Sequence, residues 1–173
     1  MASAPGQPDS LIYPELIVGI AGPIGVDLEL IARSLEGAFS QVGGYSTNLI
    51  KLTTEMERFP ITDPDLLDDV KKWPGSDTHD TYMRKMSAAN ALRKQYEDPA
   101  VLARIAIDTI RLQRRHKTGS ENNVRARHAY LVRQLKRPEE VTLLRQVYEE
   151  WALADLIGGV KTRATLSGNV PTT

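Results

Sequence analysis

The chain has no cysteine among its 173 residues. That excludes a disulfide framework, a thiolate nucleophile and any cysteine-bound zinc or iron–sulfur centre. It also fits a reducing, cytoplasmic setting. Aromatic residues are scarce, at 6%, and none is interleaved with the arginines of residues 111–127, so nothing points to stacking on nucleic-acid bases. Long apolar runs are missing. The longest, residues 16–24, falls far short of the roughly 20 residues of a membrane-spanning helix. The opening MASAPGQPDS has neither a basic nor an apolar region, so no signal peptide and no membrane partner are expected. No G-x-S-x-G elbow occurs.

An excess charge of one sign is missing too: 22 Lys and Arg balance 22 Asp and Glu. The balance hides a split, because residues 101–145 carry 11 bases and 4 acids, a surplus of seven. Such a patch attracts phosphates, or else pairs with the acids of residues 55–100. With 41% apolar and 25% charged residues, the composition is that of one globular domain, burying about 70% of its unfolded surface.

Residues 1–14, rich in Pro, Gly, Ser and Ala, read as a mobile lead-in. Residues 15–21, ELIVGIA, read as a strand apolar on both faces, as a central parallel strand is. Residues 27–42 have helical spacing, with Asp27 as cap, a stripe from Leu28 to Val42, and Gly43–Gly44 as stop. Residues 45–52 read as a second strand, which completes a strand–helix–strand unit with parallel pairing. Beyond it, helices are expected over 63–72, 78–96 and 101–116, the last capped by Asp98. A third strand is expected over 129–135 and a helix from Pro138, then a short strand over 156–160 within a divergent tail, 149–173. The expected fold is α/β: a three-layer parallel sheet with helices on both faces.

The glycine turn between the first strand and helix, Gly22-Pro23-Ile24-Gly25-Val26-Asp27, is the most informative place. Backbone N–H groups and a helix N-terminus together cradle phosphates. Yet Gly25 is followed by Val26 and Asp27, not by the Lys and Ser/Thr of a Walker A loop. A tight turn without a ligand is the alternative.

These residues carry a resemblance. PELIVGIAGPIGVDLELIARSLEGAF and GYSTNLIKLT, then YMRKMSAANALRKQY, DPAVLARIAI and AYLVRQLKRPEEVTLLRQVY, occur in the order that resembles the N-terminal P-loop kinase-like domain of the bacterial anti-phage dCTP/dCMP deaminase family, over residues 14–148. The resemblance implies a P-loop nucleotide-kinase-like domain at 15–148, incomplete at the C-terminus, and a nucleotide ligand (a dNTP or ATP). A deaminase domain or a second copy of the chain is the implied partner. The zinc deaminase chemistry is not expected of this chain, which lacks cysteine and any H-x-E. Magnesium is expected only as the companion of a nucleotide.

Site expectations follow. The phosphates are assigned to Gly22, Pro23, Ile24, Gly25, Val26 and Asp27, with Arg133 and Lys136 supplying charge at the sheet edge where ligands bind. Arg93, with Arg84 and Asn90, is implied to border the base or a second phosphate. Arg111 to Arg127 are expected to form a lid over the phosphates. No acid is expected to end an apolar strand, so magnesium has no evident carboxylate, and phosphoryl transfer lacks its charge clamps. The alternatives are a non-catalytic interaction module, a truncated product, or a small phosphotransferase with an unusual phosphate loop. Asp77, His79 and Asp80 have metal-ligand composition but read as an ordinary polar loop, and no metal site is expected.

Overall fold

The structure, a computed structural model, describes residues 13–22 and 26–148 and the backbone of 151–155. Its strands are β1 (Leu16–Ala21), β2 (Ser46–Lys51), β3 (His128–Arg133) and β4 (Trp151–Asp155). Its α-helices are α1 (Leu28–Gly43), α2 (Leu52–Glu55), α3 (Pro64–Lys71), α4 (Thr78–Gln95), α5 (Val101–Thr118) and α6 (Pro138–Val147). The sheet has the order β2-β3-β1-β4, and every pairing is parallel.

The central strands are buried on both faces, as their unbroken apolar runs require. All six residues of β3 are buried. On one face Ile17, Tyr130 and Val132 pack with Leu92 of α4, Ile105 and Ile110 of α5 and Leu144 of α6. On the other face Val18, Ile20 and Leu131 pack with Ala32 of α1, flanked by Leu28, Ile31, Leu35 and Phe39. The molecule is thus α/β, with apolar clusters on both sides of a parallel sheet.

Local chemistry sets the element ends. Asp27 Oδ1 accepts the N–H groups of Glu29 and Leu30, each at 3.0 Å, and so caps α1. Gly44, at φ 63°, ends it in the left-handed conformation that glycine adopts without strain. Asp63 caps α3 with Pro64 at the first position, as expected.

Four expectations are corrected. The strand after α6 lies at Trp151–Asp155, ahead of the expected 156–160, which falls outside the described residues. It hydrogen-bonds beside β1, and that non-local pairing, not its alanine-rich composition, makes it a strand. Leu52 belongs to α2 and not to β2. Val42, expected in the buried stripe of α1, is 90% exposed, because the stripe has rotated off the sheet by the last turn. Helix α5 is preceded by Ala100 at the cap position, not by the expected Asp98. Asp98 instead accepts the Ala100 N–H and holds Arg104 Nε at 2.6 Å.

Candidate functional site

The order of the strands locates the site. From β1 the chain moves past β3 to β2, with α1 on one face. From β3 it moves past β1 to β4, with α6 on the other. Connections leaving adjacent strands in opposite directions open a crevice at the C-terminal ends of β1 and β3. Gly22 follows the end of β1 there, and Arg133 ends β3.

Two cations converge on this crevice. Exposed Lys136 reaches back from the β3–α6 segment, and its Nζ donates to the Gly22 carbonyl at 3.1 Å. Arg133 is buried, and its Nη1 donates to Glu29 Oε2 at 2.6 Å; its Nε is buried and has no hydrogen-bond partner among the described residues. Lys51, the last residue of β2, stands in register with Arg133. Burial and the nearby charges of Arg133 and Lys85 hold the Lys51 ammonium below its ordinary pKa. Glu29 and Glu57 act in the opposite direction on the same ammonium.

The backbone at the crevice is strained. Gln134 has φ 76°, a left-handed conformation that costs a non-glycine residue about 1–2 kcal/mol. Its N–H donates to the Ile20 carbonyl at 3.2 Å, and its Oε1 accepts from Thr53 Oγ1 at 2.6 Å. These bonds tie β3 to both β1 and α2 and hold the turn that aims Lys136. Such strain concentrates at functional sites.

The segment is braced from behind by Glu140, which is fully buried. One carboxylate oxygen accepts Arg93 Nη2 at 2.6 Å. The other accepts the N–H groups of Lys136 at 2.8 Å and Arg137 at 3.1 Å. Arg93 also donates to Asn90 Oδ1 at 3.1 Å. A cleft of about 430 Å³ opens beside Asn90, Arg93, Lys94 and Arg137.

The expected site residues are therefore placed as follows. Gly22, Lys136 and Arg133 meet. A Cβ on Gly22 would lie 2.9 Å from Leu28 Cδ2, so the glycine admits the first apolar residue of α1. Asp27 spends one carboxylate oxygen on the α1 cap, and Val26 lies beside it. Pro23, Ile24 and Gly25 lie outside the described residues. Arg93 donates to Glu140 and Asn90 beside the 430 Å³ cleft. Arg84 donates to the Pro74 carbonyl at 3.3 Å and packs against the Gly75 turn. Sequence reasoning missed Lys51, Glu29 and Gln134, which tertiary pairing brings to the ends of β1 and β3; it also missed Glu140, whose reach back to the Arg137 N–H over three residues is a local signal.

The expected lid is corrected. Arg114 pairs with buried Glu15 through its Nε at 2.9 Å, and Arg127 lies over the Tyr13 ring at 3.4 Å. Arg125 Nη1 contacts His128 Nε2 at 2.9 Å. Glu15, Tyr13 and His128 lie at the starts of β1 and β3, about 17 Å along the strand from Arg133 at 3.3 Å per residue. Parallel strands begin at one edge, so these arginines brace the edge opposite the crevice. The guanidinium only donates, which leaves His128 Nε2 as acceptor and lets Nδ1–H donate to Ser46 Oγ at 2.7 Å. Burial and Arg125 press the His128 pKa down to about 4.

One further expectation is corrected: an acid does end a strand, for Asp155 closes β4 in register with Ala21. Asp77, His79 and Asp80 bring their ligand atoms within 4.8 Å of one another. Asp77 is engaged as the α4 cap, however, accepting the Asp80 N–H at 2.7 Å, and Asp80 accepts from Ser76 Oγ at 2.8 Å. No described helix is long and apolar enough to cross a membrane. No protein-family model, curated protein or solved structure matches the chain.

Proposed function

We propose that the chain binds a nucleotide through its phosphates at the C-terminal ends of β1 and β3. In this reading it is a P-loop kinase-like domain for a dNTP or ATP, related to the domain that accompanies anti-phage deoxycytidine nucleotide deamination. The observation that carries the reading is the Lys136–Gly22 contact at 3.1 Å. It brings to the turn after β1 a cation that the turn's own sequence lacks, with Arg133 and Lys51 in register behind it. Ligands of open parallel sheets bind at this edge, and phosphates favour such a cluster of donors.

The reading is binding without phosphoryl transfer. Residues for a resident magnesium do not fit: Asp27 stands where the Walker A hydroxyl is needed, and one of its carboxylate oxygens is committed to the helix cap. A non-catalytic interaction module is the second reading. It is favoured by an apolar groove of about 370 Å³ between α5 and α6, lined by Phe59, Ile105, Leu143 and half-exposed Val147.

Thermal unfolding of the full chain with individual NTPs and dNTPs separates the two. A ligand at 100 times its Kd adds about 2.7 kcal/mol, a rise of roughly 5–10 °C in Tm for a chain of this size. A Tm that no nucleotide moves would leave the interaction module.

A further inference from the structure

We infer that Glu29 is an internal anion that occupies the Arg133 position until a phosphate oxygen displaces it, and so sets the affinity of the site; this rests on the phosphate-binding reading above. Three observations point to it. Arg133 is buried, with its side chain 8% exposed, whereas the Glu29 side chain facing it is 46% exposed. The pair is asymmetric: the arginine is fixed in the sheet, and the carboxylate is free to swing into water. Glu29 sits on the first turn of α1, beside the glycine turn, so its Oε2, 2.6 Å from Arg133 Nη1, marks where a ligand oxyanion would lie. Glu29 also has an alternative resting place, because Arg33 one turn on lies 3.8 Å from its Oε1. Carboxylate and phosphate oxygens satisfy a guanidinium with the same geometry, so one excludes the other.

A ligand that must displace a resident partner has its affinity reduced to the fraction of molecules in which the partner has left the position. A charge-assisted hydrogen bond of ordinary strength corresponds to about tenfold in affinity. The test is calorimetric titration of the full chain with inorganic tripolyphosphate, using wild type, Glu29→Gln and Glu36→Gln. The last removes the same charge from α1 two turns further on. The inference expects wild type to bind, Glu29→Gln to bind about tenfold tighter, and Glu36→Gln to match wild type. Equal tightening by both variants would make the effect one of net charge and overturn the inference. Unchanged or weaker binding by Glu29→Gln would overturn it too, leaving the phosphate site standing. If neither wild type nor Glu29→Gln binds, while both melt cooperatively, the phosphate-binding reading itself falls, and the inference with it.

Discussion

The Nζ of Lys136 lies 3.1 Å from the carbonyl oxygen of Gly22, closing the β3–α6 segment onto the end of β1. The lysine is exposed, so little of the fold's stability depends on it. Lys136→Ala is expected to leave the Tm within a degree or two of wild type. Nucleotide affinity should fall about 10- to 100-fold, the span of a charged hydrogen bond. Calorimetry beside a melting curve checks both.

Arg93 and Glu140 predict the opposite pattern. Removing one partner strands a buried charge, which costs about 3–5 kcal/mol. Arg93→Leu and Glu140→Leu should each be strongly destabilising in urea unfolding, and the double variant should be more stable than either single one. Additive losses would show that the two residues do not act as a pair.

His128 gives a pH dependence. Its pKa is about 4 in the folded chain against about 6.5 unfolded, so between those values the unfolded chain binds the extra proton. Stability is therefore full above about pH 6.5 and declines as the pH falls toward 4, by about 3 kcal/mol in all. The groups facing the ring are Arg125, Ser46 and Tyr130, and none supplies a negative charge to offset protonation. His128→Gln should flatten the decline in that window. An unchanged slope would place its origin elsewhere.

Gln134 tests the strained turn. At φ 76° a side chain is penalised and glycine is not. Both Gln134→Ala and Gln134→Gly lose the bond from Thr53, but only glycine relieves the strain. The glycine variant is expected to be more stable than the alanine variant by about 1 kcal/mol, the reverse of the order in an unstrained strand. Denaturant titration of the two decides it.

Much of this architecture is legible in the sequence, for identifiable reasons. The buried run of β1, the Asp27 cap and the glycine stop of α1 are local signals, and each appears close to where it is read. The Asp63–Pro64 start of α3 is another. β4 is not legible, because pairing with β1 decides it. Arg133 and Lys136 are legible as cations after a strand; their neighbours are not. Nothing local tells that Lys51 ends beside Arg133, that Glu29 reaches the same arginine, or that Arg93 pairs with Glu140. The arginines of 111–127 mislead for the same reason: charge is visible in a sequence, but the edge of the sheet that receives it depends on strand direction.

The most direct test is a titration of the isotope-labelled full chain with dCTP and with ATP, followed by backbone amide resonances. At least one of them is expected to shift Gly22, Val26, Lys51 and the 133–137 segment, with the Arg125–His128 edge unmoved. Resonances that stay in place with both nucleotides, or shifts confined to the Arg125–His128 edge, would contradict nucleotide binding at the crevice.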